Sequence, residues 1–114
     1  MQDPNCLFCK IVKGEIPAKI LYKDEKCVAF NDIDPQAPTH FLVIPNVHIG
    51  SCGEIDGANS LVVSRCFEVV SKVAKELGLT DFRVVSNCGA QAGQSVPHLH
   101  FHVLGGRDMT WPPG

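Results

Sequence analysis

Apolar and polar positions recur with two different periods along this chain, and each change of period marks an element. Near the N-terminus, Leu7, Phe8, Ile11 and Val12 fall at helical spacing, which predicts a short helix over residues 6–13 with Asn5 as its cap and Gly14 as its stop. Strands are expected at residues 20–23 and 26–31, joined by a tight polar turn at Asp24 and Glu25. The segment from Asp32 to Pro38 holds two prolines, each pushing its predecessor toward extended geometry, and reads as a loop. Phe41-Leu-Val-Ile44 is too short for a helix and is closed by Pro45, so it predicts a largely buried strand. From about Ala58 to Leu77, apolar residues including Leu61, Val62, Phe67, Val69, Val70, Val73 and Leu77 predict a helix of roughly five turns, ended by Gly78. Those positions cover more than one narrow stripe, as expected of a helix that packs on a sheet and also against a second subunit. Residues 82–87 read as a fourth strand.

The fifth strand is the most telling. From residue 98 the chain runs His-Leu-His-Phe-His-Val, a strict alternation. A strand sends successive side chains to opposite faces, which places His98, His100 and His102 together and Leu99, Phe101 and Val103 on the far side. The order of elements, with mostly short connections, implies a mainly antiparallel sheet with helices against it: a single α+β domain over residues 1–114.

Composition narrows the field. A chain of 114 residues can bury a real core without staples, and 45% hydrophobic content with a mean hydropathy of +0.07 is ordinary for a globular domain. The net charge of -2 offers no basic footprint, so duplex nucleic acid is not an expected partner. No apolar run approaches a membrane span and none resembles a signal peptide, so the expected setting is cytoplasmic, with no membrane partner. In that setting six cysteines read as free thiols or metal ligands rather than a disulfide framework.

Three imidazoles on one face are poor core material, because each brings a polar ring that needs partners. They fit a metal-dependent enzyme, nucleophilic phosphoryl transfer, or an anion-binding module. The preceding Gly89-Ala-Gln-Ala-Gly93-Gln-Ser95 segment supplies backbone N–H groups and a hydroxyl suited to phosphate oxygens, while carboxylates are absent nearby. Phosphoryl chemistry leads on that ground. Cys6-Leu-Phe-Cys9 is a Cys-x-x-Cys pair: two core thiols, a redox pair, or half of a structural zinc site, with His40, His48 and His98 as candidate further ligands.

The segment His98-Leu-His-Phe-His-Val-Leu resembles the signature of the histidine triad (HIT) superfamily. The likeness extends to Phe8-Cys-Lys-Ile-Val-Lys-Gly-Glu-Ile-Pro-Ala-Lys, to Asp32-Ile-Asp-Pro-Gln-Ala-Pro-Thr-His-Phe-Leu-Val-Ile-Pro, and to the tail Trp111-Pro-Pro-Gly, and is nearest to the purine nucleoside phosphoramidase branch. It implies the HIT fold, a five-stranded sheet with one long and one short helix, continued across a homodimer. It implies hydrolysis of adenosine or guanosine phosphoramidates, with His100 as nucleophile, His102 at the phosphate, His98 as a brace, and Ser95 near the leaving amine. Asp32 would hold the ribose hydroxyls. Leu7, Phe8, Ile11, Phe30 and Ile33 would line the base pocket beside Asn31. Asn87, Gly93, Gln94 and Val96 would surround the phosphate, and Trp111 would reach the neighbouring subunit's site. Zinc, structural rather than catalytic, would sit on Cys6, Cys9, His48 and His98. Asn31 and Thr110 stand where relatives often carry histidine, which bears on the leaving group. Dinucleoside polyphosphate hydrolysis and a purine-nucleotide-binding scaffold are the competing readings.

Overall fold

A computed structural model describes residues 3–114. Helix α1 spans Leu7–Val12, strands β1 Ile20–Lys23, β2 Cys27–Asn31 and β3 Thr39–Pro45 follow, then helix α2 Ser60–Glu76, β4 Phe82–Val85 and β5 Phe101–Gly105. The five strands form one sheet in the order β1-β2-β3-β5-β4, and every pairing is antiparallel. Layered elements on both faces make this an α+β fold, as the pattern predicts.

Alternation along the strands sorts the core into two halves. Cys27 and Ala29 of β2, Phe41 and Val43 of β3, and Phe101 and Val103 of β5 face α2, which buries Cys66, Val69, Val70 and Val73 against them. Val28, Phe30, Leu42 and Ile44 point the other way and pack on Phe8, Cys9, Ile11 and Val12 of α1. Each fully buried aliphatic or aromatic side chain of this kind contributes about 1.5–3 kcal/mol by leaving water.

The hairpin turn and the long helix are tied through one carboxylate. Asp24 accepts the backbone N–H groups of Lys26 and Cys27 through Oδ1, while its Oδ2 meets Tyr22 and the Arg65 guanidinium on α2. Burial opposes ionisation of Asp24, but these donors together hold its pKa down at about 2.

Several boundaries differ from expectation. Cys6, not Asn5, caps α1, its side chain accepting the Cys9 N–H; the residues that would bind a metal also begin the helix. β3 starts two residues before Phe41, and β4 stops at Val85 rather than Asn87. Regular pairing in β5 begins only at Phe101. His98 and His100 therefore precede the strand, in a segment that leaves their backbone groups free for other partners. Single 3-10 turns, read as loop from sequence, form at Cys52–Glu54 and Ala90–Ala92.

Candidate functional site

A cavity of about 400 Å³ opens on the α1 face of the sheet, within the range that small-molecule ligands occupy. Its apolar wall combines Leu7, Phe8 and Ile11 of α1 with Phe30 of β2, and Ile33 stands fully exposed at its rim. Phe8 and Phe30 meet edge to face at 5.6 Å between ring centroids. Asn31, Asp32, Asn87, Gly93, Ser95, Val96, His100 and His102 form the polar end. Gly93 adopts φ +94, a left-handed conformation that glycine takes at little cost and other side chains rarely adopt, and ends the 90–92 turn beside Asn87. Two sequence-predicted residues do not line this cavity. Gln94 braces the loop, accepting the Gly89 N–H and donating to the Gly50 and Val96 carbonyls. Trp111 lies exposed over the Arg83 guanidinium. Ile16, Pro17, Ala18 and Leu42 complete the wall. They were missed because a loop and a central strand carry no periodic signal of a pocket.

The three triad rings do gather on one side, but each answers to a different backbone group. His98 is fully buried, and its Nε2 lies 2.9 Å from the Pro45 carbonyl. A carbonyl can only accept, so Nε2 carries the proton and Nδ1 presents a lone pair. Burial, partly offset by that hydrogen bond, pushes the His98 pKa down to about 4. His100 Nδ1 lies 2.6 Å from the carbonyl of His98. The same logic puts a proton on Nδ1, so that in the neutral ring Nε2 is the nitrogen with the lone pair.

His102 is set through an intermediary that the sequence reading missed in this role. His40 accepts the Gln36 backbone N–H on Nδ1 at 3.0 Å, so its proton sits on Nε2. That Nε2 faces His102 Nδ1 at 2.9 Å and the Asp32 carboxylate at 3.3 Å. His102 therefore accepts on Nδ1 and keeps its own proton on Nε2, a donor. Burial, reinforced by the neighbouring His100 and His40, lowers the His102 pKa to about 4; burial lowers that of His40 too, with Asp32 opposing. The available signal was a polar residue on the Leu42 and Ile44 face of an otherwise apolar strand.

Two groups of metal-capable side chains result. The ligand atoms of Cys6, Cys9, His48 and His98 all lie within 4.8 Å of one another. His98 Nδ1 is 3.3 Å from Cys6 Sγ and 3.5 Å from Cys9 Sγ, and His48 Nδ1 is 3.5 Å from Cys9 Sγ. Tetrahedral zinc with ordinary Zn–S and Zn–N bonds needs ligand separations of about 3.5 Å. His98 also donates its distal N–H to a carbonyl, as metal-bound imidazoles do. The donor set fits zinc. Asp32, His40 and His102 form the second group. There the Nδ1 of His40 is occupied by an incoming N–H, so its Nε2 holds a proton, not a lone pair, and the group fits a hydrogen-bonded relay instead.

Relatives agree with this architecture. The HIT domain model matches residues 13–109. A 14 kDa zinc-binding protein from Zea mays is 47% identical over all of this chain and 91% of its own length. An uncharacterised HIT-like protein from Synechococcus elongatus is 45% identical, covering 96% of this chain and 97% of that protein. A HIT family hydrolase from Legionella pneumophila superposes with a TM-score of 0.93 at 46% identity, covering 96% of this chain and 100% of that one. A histidine triad protein from Clostridium difficile gives 0.92 at 45%, covering 96% and 97%. With the fold, the triad and the length of the match in agreement, the chain belongs to the HIT domain family.

Proposed function

We propose that this protein is a hydrolase of purine nucleoside phosphoramidates. The observation that carries the reading is the 2.6 Å contact between His100 Nδ1 and the His98 carbonyl, which makes Nε2 the lone-pair nitrogen of the neutral ring at the polar end of the cavity. His100 Nε2 attacks the α-phosphorus, the P–N bond breaks, and the amine leaves with a proton. Water then cleaves the nucleotidyl-histidine and releases the nucleoside monophosphate. Splitting one displacement into two lowers each barrier. The His102 Nε2–H supports a phosphate oxygen, Ser95 sits within the same lining to meet the leaving amine, and Asp32 takes the ribose hydroxyls bidentately. Phe8, Ile11, Phe30 and Ile33 supply apolar surface for the base, and burying exposed Ile33 would add to affinity.

Zinc would be held by Cys6, Cys9, His48 and His98, cross-linking α1 to the segments that follow β3 and precede β5. It supplies structure at that point. In a homodimer, the open edge of β4 and the exposed Leu61, Phe67 and Phe82 would be covered, and Trp111 would reach the partner's cavity. Among the described residues no helix is long and apolar enough to cross a membrane, in keeping with a cytoplasmic setting.

Turnover of an adenosine 5′-phosphoramidate tests the reading. His100→Ala should lose on the order of 10³-fold or more in kcat, with purine monophosphate binding kept within a few-fold. Full activity in the variant would remove His100 as nucleophile. Tight binding with negligible wild-type turnover would favour a nucleotide-binding scaffold, and faster cleavage of dinucleoside polyphosphates would favour that substrate class.

A further inference from the structure

Beside the phosphate end of the cavity, two thiols that the reaction does not use come together. Cys88 follows Asn87, which lines the cavity, and Cys52 opens the 3-10 turn at Cys52–Glu54. Gln94 ties the two segments by donating to the Gly50 carbonyl. The Cys88 sulfur has a built seat. It lies 3.4 Å from Ser51 Oγ and directly over Gly53, where an added Cβ would come within 3.0 Å of it. The Gly53 N–H donates to Ser51 Oγ, so the Cys88 sulfur rests on the two residues that flank Cys52 in the chain, and the Cys52 side chain interacts electrostatically with it.

We propose that Cys88 and Cys52 form a peroxide-responsive thiol pair, Cys88 as the attacking sulfur and Cys52 as the resolving one. The Ser51 hydroxyl and the Gly53 N–H lower the Cys88 pKa, burial opposing and Cys52 assisting, so a larger share is thiolate near neutrality. Cys88 is exposed and Cys52 half-buried, so a small hydroperoxide reaches the first without unfolding the second. The Cys88 thiolate attacks the outer oxygen of the hydroperoxide. The O–O bond breaks, the departing alkoxide or hydroxide takes a proton, and Cys88 becomes a sulfenic acid. Cys52 then attacks that sulfur, the S–O bond breaks, and the hydroxide leaves as water with the Cys52 proton. Two thiols and one hydroperoxide give one disulfide, water and an alcohol or a second water. Each sulfur loses one electron and the peroxide gains two.

A second pair in the molecule provides an internal contrast. Cys27 and Cys66 lie 3.3 Å apart between sulfurs, and their shared hydrogen bond pushes the Cys27 thiol down and the Cys66 thiol up, but both are completely buried between β2 and α2. Proximity and a lowered thiol do not make a pair responsive without access; Cys88 has that access.

The test is graded hydrogen peroxide on the intact, metal-loaded protein at pH 7, followed by alkylation and peptide mapping. A Cys52–Cys88 disulfide should appear roughly tenfold faster than any oxidation of Cys27 or Cys66. Cys52→Ser should leave a Cys88 sulfenic acid that a cyclic diketone traps, and Cys88→Ser should abolish the product. Cys88 oxidising no faster than the buried pair, or a Cys88 sulfenic acid persisting in the wild type with Cys52 still free, would overturn the proposal. These readouts are chemical and stand apart from any loss of phosphoramidate turnover.

Discussion

Two clusters built from the same kinds of side chain flank the cavity and end in opposite states. Cys6, Cys9, His48 and His98 turn candidate ligand atoms to a common centre; Asp32 and His102 both face the single Nε2–H of His40. What separates them is one backbone contact each. His98 gives its distal N–H to the Pro45 carbonyl, whereas His40 receives the Gln36 N–H. A histidine is ligand or donor according to whether the main chain behind it accepts or donates.

The largest break in this comparison comes from the ligand cage. Wild type should hold one zinc per chain by elemental analysis, and Cys9→Ser should hold none, with a stability loss of about 3 kcal/mol or more in denaturant titrations. Two equivalents in wild type would mean that the relay also binds metal, and the contrast would collapse. The pH response is next. His102 has a pKa of about 4 against an ordinary 6.5, so the unfolded chain takes up a proton that the folded chain refuses. Its contribution is complete above pH 6.5 and is lost as the pH falls from there to about 4, by up to about 3 kcal/mol. Replacing it in His102→Asn should flatten the difference in stability across that window at constant metal loading; an unchanged slope would place the proton elsewhere.

A smaller effect follows from the relay's middle member. His40→Ala should lower kcat on the order of tenfold by freeing His102 to turn, with KM moving less, because His40 does not line the cavity. Smaller again is Arg107→Ala. Arg107 donates twice to the Gln36 carbonyl and so steadies the loop whose N–H sets His40. Since this clamp is exposed, a loss of about two- to threefold in kcat is expected. A drop as large as that of His40→Ala would make the loop, not the ring, the controlling element.

Much of this was legible from residue order, for physical reasons. Strand and helix periods are local, so α2, the β1–β2 hairpin and the separation of Leu99, Phe101 and Val103 from the histidines could be read directly. The cavity residues came from resemblance, which carries information that periodicity lacks; the Cys-x-x-Cys pair was visible in its spacing, and resemblance chose His48 and His98 over His40 as its partners. What escaped depends on contacts between distant segments. The register that starts β5 at Phe101 leaves the His98 carbonyl unpaired in the sheet and free to meet His100. The tautomer of His40 depends on a loop N–H four residues earlier. Gln94, placed at the phosphate by resemblance, has its side-chain amide held by three backbone partners, which no local pattern announces. Asn5 looked like a cap and lost the place to a thiol whose position serves the cage.

The contact of His100 with its predecessor's main chain has a consequence for how such a protein can change over generations. His98 contributes a ring to the cage and a carbonyl to His100, and only the ring is encoded by the side chain. Substitution at 98, or loss of both cysteines, deletes the cage and leaves that carbonyl in existence. Under the proposed function, zinc binding would therefore be gained or shed by a lineage while His100 keeps its Nδ1 partner, provided that packing around Phe8, which touches both rings, holds the backbone in place. The scaffold is heritable separately from the chemistry it supports.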